Sequence, residues 1–201
     1  MRIGLFGATS PLGELVLAEA LDRGHTLTAL VTDPAHLALR HPRLSLAAGT
    51  LGDHAALVGA LAGHAALVCC SEPAVIAADL VAILGAMRAV GLRRIVVLAD
   101  AGILQEDDQT LRYTLADYPL DQRAAALEYW RAFALLRESG LRWTLLCLPP
   151  LDPGEGTGGY RAERDYLPEA GERIALADAA IFVLDELESD MFVGARVGIA
   201  E

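Results

Sequence analysis

The chain contains no lysine and no asparagine, so arginine supplies all 16 of its basic residues. No mechanism that needs an amine side chain or a carboxamide of asparagine type can run on it. Aromatic residues make up only 5% of the 201 residues, and there are three cysteines. Cys69, Cys70 and Cys147 are an odd number, lack metal-ligand spacing, and lie in apolar, strand-like runs. That reads as buried, reduced thiols in a cytoplasmic protein rather than a disulfide framework or a metal site. Positive charge is scarce: the net charge is −11, with a pI near 4.8. A basic footprint for nucleic acid or for an anionic membrane surface is therefore absent. Mean hydropathy is high at +0.37, but it comes from short pieces rich in Ala, Leu and Val. No run approaches the roughly 18 consecutive apolar residues expected of a membrane span. No signal-like segment is visible, because the N-terminus enters a strand pattern that Gly7, Gly13 and Glu14 interrupt.

What is present is alternation. Strand patterns at 2–6, 26–31, 43–47, 65–70, 94–98 and 141–148 are separated by helical patterns at 11–23, 53–61, 73–90 and 123–139. A helix over 176–188 and a short strand over 196–199 follow. Asp33-Pro34 reads as a cap and first residue of a short helix reaching Leu39. Short extended pieces are expected at 160–164 and 173–174. This order predicts one α/β domain over 1–201, a doubly wound, three-layer Rossmann-type parallel sheet. A chain of this size buries about 70% of its unfolded surface. The rhythm breaks over 101–122, an acidic, irregular stretch of the kind that forms lids, binding segments or disorder.

In such sheets ligands sit beyond the carboxyl ends of the strands. After the first strand comes "GATSPLG", Gly7 to Gly13. A glycine turn opening a helix offers unpaired N–H groups and a partial positive charge to a pyrophosphate. The same turn can also be purely structural. "IGLFGATSPLG", "ALDRGHTLTALVTDPAHL", "ALAGHAALV", "GLRRIVVLADAG" and "LLRESGLRWTLLCLPP" together resemble the atypical short-chain dehydrogenase/reductase group. Within it the chain is most similar to the NAD(P)H-binding, flavin reductase/biliverdin-IXβ reductase-like and NmrA-like branch. The resemblance runs from Met1 to about Ala200 and is weakest over 103–123.

The resemblance implies a cofactor, NAD(H) or NADP(H), held by Gly7, Thr9, Ser10, Pro11, Leu12 and Gly13. Ser10 replaces the middle glycine of the family turn; its side chain either crowds the phosphates or bonds one. Thr32 stands where the family often has an arginine for the 2′-phosphate of NADP. Asp33, about 20 residues after Gly13, has the spacing of a ribose-binding acid, or it simply caps the next helix. Arg40 or Arg43 could substitute for the missing arginine, and the balance leans to NAD. Thr50 and Leu51 fall near the adenine, and Cys70 and Ser71 near the nicotinamide-side ribose; strand-end packing is the alternative for the last two.

The serine–tyrosine–lysine set of many short-chain enzymes is excluded. Tyr129 has Phe133 where the lysine would stand, and so reads as a packed helix residue. Where the branch has Ser or Thr-Ser, this chain has Ala99-Asp100, which makes Asp100 the candidate catalytic group, with a turn-capping role as its alternative. Phe133 and Leu151 occupy positions where the branch can carry histidines, and all five histidines read as surface or turn residues. Pro149, Pro150 and Leu151 are candidate walls over the nicotinamide, and Tyr113 and Tyr118 candidate flanks for a flat ring. Three functions stay open: a reductase of a small flat acceptor such as a flavin or quinone, a cofactor-binding sensor without turnover, and a fold that has lost its nucleotide.

Overall fold

A computed structural model describes residues 1–201. Eight strands form one sheet in the order β3 (Leu44–Ala48), β2 (Thr26–Val31), β1 (Arg2–Phe6), β4 (Ala66–Cys69), β5 (Arg94–Asp100), β6 (Arg142–Leu148), β10 (Ala195–Ala200) and β8 (Arg161–Arg164). All neighbours are parallel except β8, which runs antiparallel to β10 with Val197 opposite Arg164. Two further short strands, β7 (Leu151–Asp152) and β9 (Ile174–Ala175), pair in parallel beside the main sheet. The chain winds outward from β1 to β3, returns, and winds from β4 toward β6. The switch point between β1 and β4 thus lies directly beside the glycine turn.

Helices α1 (Pro11–Asp22) and α5 (Leu176–Ser189) cover one face. Helices α2 (His54–Leu61), α3 (Ile76–Val90) and α4 (Arg123–Glu138) cover the other. Each helix forms because its apolar residues return at helical spacing. On α1 these are Leu12, Val16, Leu17, Ala20 and Leu21, all buried. On α3 they are Ile76, Leu80, Ile83, Leu84 and Met87, also buried. Strand β5 is buried on both faces up to Ala99, which accounts for its unbroken apolar run.

The structure bears on three sequence expectations. The helix expected from Pro34 to Leu39 is a single 3-10 turn, Pro34–His36, capped by Asp33; none of its three residues is buried, and Leu37 enters the core in extended conformation directly after it. The segment 73–90 has a mean hydropathy of 1.8 and is, by length and composition alone, long and apolar enough to cross a membrane, although Asp79 and Arg88 keep it from being an unbroken apolar run. Here it is a 3-10 turn followed by α3, carries Asp79 and Arg88, and packs against the sheet between α2 and α4. Finally, the stretch 101–122 is an ordered cover. It has 3-10 turns at Ala101–Ile103 and Arg112–Thr114, and Gln105 bridges to Leu111 and Tyr166.

Below the sheet, opposite the glycine turn, a buried ionic network ties α5 to β5 and β6. The Arg94 guanidinium donates to Glu186 and Asp190, both at 2.7 Å. Glu186 also accepts from the Thr144 hydroxyl at 2.7 Å and from the Phe192 N–H. Burial lowers the Arg94 guanidinium from its ordinary value, and the two carboxylates offset part of that. Removing one charge from such a buried set leaves the other poorly compensated. Glu186→Gln should therefore lose about 3 kcal/mol in urea unfolding; a loss under about 1 kcal/mol, the usual worth of an exposed ion pair, would contradict this role.

Candidate functional site

The turn after β1 is set by close backbone packing. Gly7 has φ +78, and a Cβ there would collide with the carbonyl of Cys70 at the end of β4. A Cβ on Gly13 would collide with the Gly7 carbonyl. Both glycines are thus required by the meeting of β1, β4 and α1. Between them Ser10 takes the place of the missing glycine by turning its side chain inward. Its hydroxyl donates to the Gly7 carbonyl at 2.9 Å and accepts from the Gly13 N–H at 3.1 Å. Ser10 is the N-cap of α1, in extended conformation, and Pro11 follows at the first helical position, where its missing N–H costs little. With both bonds made, the hydroxyl's proton is used inside the turn. The N–H groups of Thr9 and Leu12 make no bond within the chain and are free donors at this helix start.

Two chambers lie along the carboxyl ends of the strands. The first, about 720 Å³, runs over Gly7, Thr9, Ser10 and Pro11 and reaches Thr32, Asp33, Thr50 and Leu51. The second, about 660 Å³, runs over Leu12, Ala99 and Asp100 under Pro149, Pro150 and Leu151. Ser10, Pro11, Cys70 and Ser71 line both, so the chambers meet over the glycine turn and the end of β4. Every residue assigned above to cofactor binding lines one chamber or both, except Gly13, which is buried beneath the turn.

The first chamber holds three carboxylates, Asp33, Glu72 and Asp79, and no arginine. Asp33 accepts from the Ala35 N–H at 2.9 Å and so caps the 3-10 turn, while remaining 55% exposed at the chamber wall. Its capping role and its position at a ligand surface coexist. The guanidinium of Arg40 is bound to the carbonyls of Leu37 and Leu39, and that of Arg43 to the carbonyl of Leu21. Neither lines the chamber, so neither replaces the arginine that Thr32 displaces. His36 does line it, 3.9 Å from Asp33, so this exposed turn histidine, as expected a surface residue, also stands at a strand-end site where none was expected. His25 is not a surface residue: it is buried, with Nε2 2.9 Å from Glu188. Both departures are tertiary contacts that local sequence does not report.

The second chamber is mostly apolar; its polar lining is Ser10, Ser71, Asp100, Gln122 and Tyr129. Asp100 Oδ1 accepts from the Gly102 N–H at 2.6 Å and from the Tyr118 hydroxyl at 3.0 Å. Asp100 is therefore a turn cap and a chamber group together, with Oδ2 unpartnered within the chain. A Cβ at Gly102 would push away the Tyr118 hydroxyl and the Asp100 carboxylate that meet there. The neighbouring Asp100 carboxylate and burial both hold the Tyr118 phenol protonated. Tyr129 is packed, as its spacing implies, and its ring edge also forms chamber wall. Tyr113 packs against the core beneath and lines neither chamber. Phe133 is remote from both, stacked between Trp130 and Trp143 with the Arg196 guanidinium 4.7 Å from its ring. The three cysteines are free and buried; burial raises all three thiols, Cys69 to about 11, so none is a ready nucleophile.

The roof is fastened from two sides that sequence reading did not find. Fully buried Asp178, at the start of α5, accepts from the N–H groups of Thr157 and Gly158 at 3.1 and 2.7 Å, holding the 153–159 loop. Arg196 on β10 donates to Asp165 at 2.9 Å and to the Ile103 carbonyl, holding the 101–105 turn. Only the isolated acidic residue at a helix start hinted at the first, and nothing local hinted at the second.

The pattern that defines the NAD(P)H-binding family matches residues 7–190. YwnB of Bacillus subtilis is 27% identical over 94% of this chain and 92% of its own length. A solved Burkholderia pseudomallei structure, named provisionally as an exported protein, is 29% identical, with complete coverage of both chains and a TM-score of 0.90. A Streptococcus pneumoniae structure, SP1627, provisionally named an NADH-flavin reductase, is 23% identical. It covers 100% of this chain and 99% of its own, with a TM-score of 0.84.

If the Ser10 hydroxyl only caps α1, Ser10→Ala should cost about 1 kcal/mol of stability. Dinucleotide affinity, read by nicotinamide fluorescence, should stay within about threefold of the parent, well short of the loss of a charge-assisted phosphate bond. A much larger loss of affinity at unchanged fold would make Ser10 a phosphate ligand.

Proposed function

The chain belongs to the NAD(P)H-binding family, and from that premise we propose that it binds NADH across both chambers and reduces a planar acceptor in the second. The observation that carries this reading is the junction of the chambers at Ser10–Pro11 and Cys70–Ser71. It gives a dinucleotide one path, with its pyrophosphate over the unbonded Thr9 and Leu12 N–H groups where α1 starts. The adenosine half fits the chamber of Thr32, Asp33, Thr50 and Leu51, and the nicotinamide half the chamber of Ala99, Asp100 and Pro149 to Leu151. The name NADH-flavin reductase given to the Streptococcus pneumoniae protein is consistent with such an acceptor.

The Thr9 and Leu12 N–H groups and the positive end of α1 hold the pyrophosphate without help from a cation. The Asp33 carboxylate suits a ribose diol and repels a 2′-phosphate, and with no arginine in that chamber the site favours NADH over NADPH. When bound, NADH supplies a hydride from its nicotinamide ring. Asp100, held rigid by Gly102 and Tyr118, places negative charge where the ring turns cationic, which favours hydride departure. Pro149, Pro150 and Leu151 wall the acceptor from water on one side. The acceptor gains the hydride and one proton from solvent, a two-electron reduction in which the protein forms no covalent bond.

A second reading, a cofactor-binding regulator without turnover, is favoured by the second chamber, whose one acid, Asp100, is already engaged as a turn cap in a chain that offers no lysine. The two readings part when purified protein is given NADH with riboflavin or a quinone. Oxidation of NADH supports the reductase, and saturable binding without oxidation supports the regulator. For the coenzyme, NADH should bind at least about tenfold tighter than NADPH, the size expected from a juxtaposed like charge. The pair Thr32→Arg with Asp33→Ser keeps a capping hydroxyl and should reverse that order. Equal affinities in the parent would remove Asp33 from the site.

A further inference from the structure

Resting on the reductase reading, we infer that the acceptor is a planar ring system without an anionic substituent. The second chamber does not end at Asp100. It continues into a recess of about 270 Å³ that shares Asp100, Gln122, Leu148, Pro149 and Pro150 with it and adds Arg112, Tyr118 and Glu172. A ring seated on the apolar chamber floor therefore directs its substituents toward this recess.

The charges there are unbalanced. Arg112 is the only cation lining the chamber or the recess, and it is bound to Glu106 at 2.6 Å. The neighbouring cations lie outside both spaces: Arg123 donates through Nη2 to the Leu115 carbonyl at 2.7 Å, its Nε buried without a partner, and Arg173 pairs with Asp152 at 3.1 Å. Against them stand Asp100 inside and Glu172 at the mouth, with exposed Asp107, Asp108, Asp117 and Asp121 on the same covering segment. A phosphate or carboxylate entering the recess meets Asp100 and Glu172, while the one guanidinium there, Arg112, already shares its charge with Glu106 through Nη1. An uncharged substituent can bond to Gln122 or Tyr118 without that cost. The chamber's own demand is an apolar face, and the recess excludes anions; together they specify a neutral flavin-like or quinone-like ring. Because clefts of one sign focus potential, the discrimination should be large at low ionic strength and shrink with salt.

Riboflavin and FMN test this directly, since they share one ring system and differ by a phosphate. Their dissociation constants would be read from quenching of flavin fluorescence, with and without NAD⁺, at low and high ionic strength, with NADH oxidation followed in parallel. Riboflavin should bind about tenfold tighter than FMN at low salt, with the gap narrowing as salt rises. Glu172→Arg should narrow or invert it. Tighter riboflavin binding with NADH oxidation supports both the charge rule and the reductase reading. Tighter riboflavin binding without oxidation supports the charge rule and overturns the reductase reading. Equal or tighter FMN binding, a salt-independent gap, or no binding of either flavin overturns the charge rule whatever the oxidation assay gives.

Discussion

Where α1 begins, three stretches of backbone meet too closely for any side chain to stand between them. Gly7 abuts the Cys70 carbonyl, and Gly13 abuts the Gly7 carbonyl. That contact draws the N-terminus of α1 onto the ends of β1 and β4 at the switch point of the sheet. The two chambers exist because of it: they are the spaces on either side of the same ridge. The packing demand also explains why the middle glycine is dispensable while the outer two are not. A residue at position 10 points its Cβ into a gap that a hydroxyl can fill, and Ser10 closes the turn by bonding to both glycines.

Charge is distributed to match. The face away from the chambers is fastened by the Arg94–Glu186 network, whose charges are compensated where they are buried. The chamber face carries carboxylates with few partners: Asp33, Glu72 and Asp79 on one side, Asp100 and Glu172 on the other. A dinucleotide is itself anionic, so its pyrophosphate must rely on N–H groups and the helix dipole, the one positive feature available. The absence of lysine thus shapes the site as much as any residue present.

The parts legible in the sequence are those set by local pattern. Strand and helix order, the glycine turn, Asp33 as a cap and the strand ends that form the chambers all follow from period, capping and turn chemistry over a few residues. The order of Ala101–Gln122 was not legible, because it depends on Tyr118 reaching Asp100 and Arg196 reaching Ile103, contacts between distant segments. His25 read as a turn residue for the same reason: its burial comes from Glu188 on α5. The extended piece at 160–164 was legible and is β8, but its antiparallel pairing with β10 was not, since that depends on where a distant segment folds back.

The central claim is that one dinucleotide spans both chambers, bent over the start of α1. A crystal structure of the protein with NAD⁺ tests it most directly. The account places the pyrophosphate on the Thr9 and Leu12 N–H groups, the adenosine ribose at Asp33, and the nicotinamide beside Asp100. A dinucleotide bound elsewhere, or bound in the first chamber with its nicotinamide turned away from Asp100, would contradict it.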